Sequence, residues 1–102
     1  MIEITEIPLK KNNQEMNILL SGTVYHLIIK HNEYCGWVLD VMSQAKTPIL
    51  TGIPIVYGVD ILEQYQYVGI NGVLVFYCDD PESEKEQSEL GRKNRIYFAQ
   101  NN

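Results

Sequence analysis

The side chains able to do acid–base, nucleophilic or metal chemistry are few, and they are scattered along the chain. There are two histidines, His26 and His31. A zinc-type centre takes three or four His, Cys, Asp or Glu ligands at characteristic spacings, and neither histidine has such company. His26 lies inside an alternating stretch and reads as a polar residue on a half-exposed strand face, while His31, beside Asn32, reads as a turn residue. Asp60 and Glu63 stand three apart and could form a carboxylate pair for general acid–base work. The same spacing suits Asp60 as the cap of a short turn, accepting backbone N–H groups of Leu62 or Glu63, and this is the reading adopted. Ser21, Ser43, Ser83 and Ser88 lack the context of a nucleophile elbow. Gly52, Gly58, Gly69 and Gly72 are not followed by the Lys-Ser/Thr of a phosphate loop. Cys35 and Cys78 each stand alone and read as small core residues of a reduced protein rather than as a disulfide. The expectation is therefore no enzyme, no metal and no cofactor.

Recognition by contact is better represented. The chain holds seven tyrosines in 102 residues. Tyr25, Tyr34, Tyr77 and Tyr97 lie in or beside expected strands, where tyrosine is a common filler. Tyr57, Tyr65 and Tyr67 crowd one short segment, and the last two lie off the strand pattern. Tyrosine offers a large amphipathic surface and one hydrogen bond, which suits it to protein interfaces. Tyr57, Asp60, Tyr65 and Tyr67 are the candidate interface residues, with Asp60 holding the turn that presents the rings.

These residues belong to the stretch Thr47–Gly72, TPILTGIPIVYGVDILEQYQYVGING, around which the chain is organised. Pro48 and Pro54 belong at strand starts, edges or bulges because proline cannot donate to a ladder. The spacing predicts two short strands meeting at a tight corner at Thr51-Gly52, then one brief helical turn after Asp60, closed near Gly69. Upstream, Ile2 and Ile4 alternate with polar residues in a short edge strand ended by Pro8. Glu15 to Leu20 and Thr23 to Lys30 read as a hairpin about Ser21-Gly22. In the second strand Tyr25, Leu27 and Ile29 share one face, and Val24, His26, Ile28 and Lys30 the other. His31-Asn32-Glu33 is a turn, and Tyr34 to Met42 a strand with Trp37, Leu39 and Val41 on its core face. Val73 to Cys78, VLVFYC, reads as a central strand buried on both faces. Asp79 to Gly91 is a mobile acidic loop, and Arg95 to Ala99 the last strand. The expected architecture is all-β: one small domain, 1–102, a mostly antiparallel barrel or sandwich with at most one or two helical turns.

Charge narrows the partners. The net charge is −5, and the excess sits in Asp79, Asp80, Glu82, Glu84, Glu86 and Glu89, a run containing only one base, Lys85. The remaining acids and bases cancel, so the chain lacks the basic surface that phosphate backbones require, and nucleic acid is not an expected partner. No apolar run is long enough to span a bilayer as a helix, so no membrane is expected. The opening MIEITEIPLKK has acids where a secretory leader needs bases, which leads to the expectation of a cytoplasmic protein.

A family resemblance rests on Gly52-Ile53-Pro54-Ile55-Val56-Tyr57-Gly58-Val59-Asp60-Ile61-Leu62 followed by Gln64-Tyr65-Gln66-Tyr67-Val68-Gly69. With Ile7 to Leu9, the Trp37-x-Leu39-Asp40 strand and Arg95-Ile96-Tyr97-Phe98, it resembles the small baseplate plug proteins of contractile-tailed phages, the cyanophage type, across nearly the whole chain. The acidic segment matches only as a variable polar insertion. The resemblance implies a structural subunit of a tail baseplate, assembled in the host cytoplasm. Its implied partners are tube, hub and baseplate proteins and further copies of itself. It brings no catalytic residues and no cofactor. A second reading of the same residues is a monomeric ligand-binding or accessory barrel with Tyr57–Tyr67 lining a pocket.

Overall fold

Alternation of apolar and polar residues drives the described residues into seven strands: β1 Glu3–Ile7, β2 Gln14–Leu20, β3 Thr23–Asn32, β4 Gly36–Ser43, β5 Pro48–Pro54, β6 Gly72–Cys78 and β7 Asn94–Gln100. A short 3-10 helix, Glu63–Val68, lies between β5 and β6, kinked at Tyr65 (φ −120°, ψ 24°). The computed structural model describes residues 3–34, 36–70, 72–79, 90–92 and 94–100 and, of residues 3 and 66–68, the backbone alone. The acidic loop expected at 79–91 lies outside the described residues from 80 to 89. Leu90, at its far end, is buried.

The strands form two sheets, one ordered β1-β7-β6 and the other β2-β3-β4-β5. Every strand pairing is antiparallel. The sheets do not close on one another, so of the two expected architectures the sandwich is the one found. Its filling comes from the faces that alternation predicts. Leu27, Ile29, Trp37, Leu39 and Val41 from the larger sheet meet Leu74, Phe76, Ile96 and Phe98 from the smaller, all but fully buried. Trp37 and Phe76 are the largest fully buried side chains. The Trp37 and His31 rings make a T-shaped contact, with 5.0 Å between centroids and 72° between planes.

Four local expectations are corrected. Thr51-Gly52 is a bulge within one continuous strand, not a corner between two. Leu39 pairs with Ile53 but Val41 with Leu50, so β5 carries an extra residue opposite Asp40. Gly52 takes φ +68°, and its N–H donates to the Asp40 carboxylate at 2.7 Å. A side chain twelve residues away thus replaces the lost ladder bond. His31 and Asn32 extend β3 instead of turning, because they pair with Trp37 and Gly36. β6 is an edge strand, not a central one: Leu74 and Phe76 are buried, whereas Val75 and Tyr77 are not. Its start is tight, since a Cβ on Gly72 would collide with the Phe98 ring and lie 2.7 Å from the Ala99 carbonyl oxygen. Finally, His26 is only 5% exposed although it lies on the outer face of the larger sheet. Asn17 and Met42 flank it across the strands, and its Nδ1 lies 2.8 Å from the Asn17 Oδ1.

Candidate functional site

After Pro54 the chain leaves the larger sheet and crosses to the smaller one, forming an arch along the free side of β6. The crossing starts with the Ile55 N–H donating to the Trp37 carbonyl at 2.9 Å. Tyr57 then bridges to Phe76, and Asp60 to Val75. Asp60 pins the arch at its crown. Its Oδ1 accepts the N–H of Leu62 at 3.0 Å and that of Leu74, on β6, at 3.1 Å. The Ile61 N–H donates to the Leu74 carbonyl at 2.8 Å, and the Tyr65 N–H to the Leu62 carbonyl at 2.9 Å. Ile61, Leu62 and Ile70 anchor the underside in the core. A carboxylate that takes two backbone donors in a half-buried setting fixes a loop more firmly than a neutral cap would.

The upper side of the arch is open and mixes apolar with polar side chains. Val56 and Val59 are 39% and 48% exposed, and Glu63 and Gln64 stand free of the core. Ile53, Pro54, Val56, Val59, Asp60, Gln64 and their neighbours border a hollow of about 300 Å³. Tyr57 and Tyr65 are half-buried and pack against the core. The Tyr57 ring tilts toward Tyr77 with 6.3 Å between centroids. This contact joins the arch to the outer face of the β1-β7-β6 sheet. There Ile4, Val75, Tyr77, Tyr97 and Ala99 line a second hollow of about 380 Å³. Ile4 is 69% exposed and Tyr77 47%. Arg95 and Glu6 close one end of this face, 3.4 Å apart. The Arg95 guanidinium is held above its ordinary pKa by its hydrogen bond to Tyr97 and by the charge of Glu6.

Of the four expected interface residues, Tyr57, Asp60 and Tyr65 are thus brought into one arch, with Asp60 acting from within as its pin. Tyr67 lies in the 3-10 helix, and its side chain lies outside the described residues. Ile4, Val59, Tyr77 and Tyr97 were not among the expected residues. The signal for Tyr77 was present: alternation along VLVFYC puts Val75 and Tyr77 opposite Leu74 and Phe76. Among the described residues, no group of three or more His, Cys, Asp or Glu is placed to hold a metal ion. His26 Nε2 lies 3.7 Å from Glu15 Oε2 and has no hydrogen-bond partner among the described residues. No described helix is long and apolar enough to cross a membrane. Cys78 is buried, and Cys35 lies outside the described residues.

No curated protein matches the chain. The family model described as cyanophage baseplate Pam3 plug gp18 matches residues 4–101, nearly the whole sequence. That family is a structural component of the phage tail baseplate, not an enzyme. The chain belongs to the family of cyanophage baseplate plug proteins.

Proposed function

We propose that the chain works as a tube-proximal plug subunit of a contractile tail, docking onto tube or hub proteins through the arch and contacting further copies of itself in the assembled baseplate. The supporting observation is the contact of Tyr57 with the exposed Tyr77, together with the exposed Val56 and Val59, carried on a segment pinned to β6 by Asp60. Docking of a rigid aromatic surface loses little side-chain entropy, and an anchor at an interface centre contributes about 2 kcal/mol or more. Tyr57, Tyr65 and Tyr67 supply the rings, Val59 and Tyr77 extend them, and Asp60 fixes their positions.

The test is complementation of a phage lacking the gene. The Tyr65→Ala, Tyr67→Ala double variant and the Val59→Glu, Tyr77→Glu double variant are each expected to fold, by far-UV circular dichroism, yet not to co-sediment with tail particles. Normal incorporation and infectivity of both would return these residues to the role of strand filler.

A further inference from the structure

The two sheets have four edges, and three of them are obstructed. The free side of β6 is taken by Tyr57 and Asp60. β5 begins and ends in proline and is bulged. β1 is short, five residues among those described. Prolines, bulges and shortness are the devices that keep sheet edges from pairing. β2 has none of them. It runs seven residues in unbroken register with β3, and among the described residues it pairs with β3 alone. The Gln14 side chain closes the preceding turn on Lys10 and Asn12, so the strand begins straight from Gln14.

The register identifies the backbone groups at this edge. Ser21 and Gly22 both take positive φ, the type I′ turn of a two-residue hairpin. In that turn Leu20 and Thr23 form a hydrogen-bonded pair. Because bonded and non-bonded pairs alternate, residues 15, 17 and 19 turn their N–H and C=O groups away from β3. Their side chains are also the exposed ones, with Leu19 61% exposed. The edge therefore offers three outward donor–acceptor sets at even spacing.

We propose that this edge pairs with the same edge of a second copy, antiparallel about a twofold axis at Asn17, so that the four-stranded sheet continues as eight strands. This deepens the self-contact in the reading above and leaves the arch free for other subunits. The occupant follows from the sequence of the edge. β2 holds one charge, Glu15. With Asn17 opposite its own copy, each Glu15 faces a Leu19 of the other chain, and no like charges meet. On the other side of the strand Met16 faces Ile18. Both are half-buried residues packed against the core, so the pairing lengthens the apolar filling of the sandwich. A twofold contact requires a self-complementary patch, and this register supplies one in charge, size and hydrogen bonding.

The test is the oligomeric state of the purified chain by sedimentation from micromolar to millimolar concentration. A concentration-dependent dimer is expected. Asn17→Pro removes one outward N–H and takes no donor from the β2–β3 ladder, although it also removes the Asn17 contact to His26, and it should leave a monomer, folded by far-UV circular dichroism, at every concentration. Like charges directly opposite are destabilising, so Leu19→Glu, which sets two Glu–Glu pairs across the axis, should weaken the dimer about tenfold. Leu19→Lys sets two Lys–Glu pairs and should retain it with added salt sensitivity. A dimer indifferent to Asn17→Pro, or weakened equally by Leu19→Glu and Leu19→Lys, overturns the proposal. So does a chain that stays monomeric to millimolar concentration, which would leave the edge to an extended segment of another baseplate protein. This assay reads the edge in the isolated chain and the particle assay reads the arch, so either can fail without the other.

Discussion

Replacing Trp37 separates two contributions that a buried indole makes to this fold. Trp37 is fully buried on β4, facing the core, and its ring makes a T-shaped contact with His31. Trp37→Ala removes the whole ring from a packed interior and should cost about 3–5 kcal/mol, a large share of the about 5–15 kcal/mol that holds a typical domain folded. Trp37→Phe is more informative. The indole Nε1 is buried without a hydrogen-bond partner among the described residues, and an unsatisfied buried donor costs about 1–3 kcal/mol. Phenylalanine removes that donor while keeping most of the ring volume, so the two changes offset. The expected loss is about 1 kcal/mol or less, inside the range of volume-conserving core swaps. Urea titration should be followed by far-UV circular dichroism, because Trp37 is the only tryptophan and fluorescence would lose its reporter. A Trp37→Ala loss below about 1 kcal/mol would show that the ring is not core. Equal losses for the two variants would refute the argument that the unpaired N–H matters.

Two further outcomes test the arch and the sheet beneath it. Gly72→Ala forces a Cβ against the Phe98 ring and the Ala99 carbonyl; it should cost about 1–3 kcal/mol as overpacking, read as a lowered midpoint in thermal denaturation, and an unchanged midpoint would place β6 further from β7. Asp60→Ala removes the acceptor of the Leu62 and Leu74 N–H groups and should cost about 2 kcal/mol or more, with faster amide exchange at both residues, whereas Asp60→Asn keeps an acceptor oxygen and should cost less than half as much; equal costs would remove the pinning role.

What the sequence conveyed follows the range over which each interaction acts. Alternation along Tyr25-Leu27-Ile29 and Trp37-Leu39-Val41 is a two-residue signal, and those faces form the core as expected. The bond from Asp60 to the Leu62 N–H spans two residues and was equally legible. The second bond of the same carboxylate, to Leu74, spans fourteen residues, and the bond from Asp40 to Gly52 spans twelve. Neither has a local signature, so the arch could be placed on the chain but not against β6, and a bulge was read as a corner. His26 reads as half-exposed for a similar reason: its cover comes from neighbouring strands, through Asn17 and Met42.

The misreading of β6 has a different cause. VLVFYC looks covered on both faces because both of its alternating sets are apolar, and local sequence carries no information about which face a second layer reaches. In the folded chain only Leu74, Phe76 and Cys78 are covered, while Val75 and Tyr77 border an open hollow with Ile4, Tyr97 and Ala99. A solvent-facing sheet surface ordinarily alternates to polar residues. An edge strand that keeps apolar residues on its outer side, beside the tyrosine arch, has the composition of a covered surface without the cover. Contiguous apolar patches of this kind mark interaction sites on folded proteins. The run is thus a strand covered on one face only, and a baseplate partner is the layer our proposal supplies for the other.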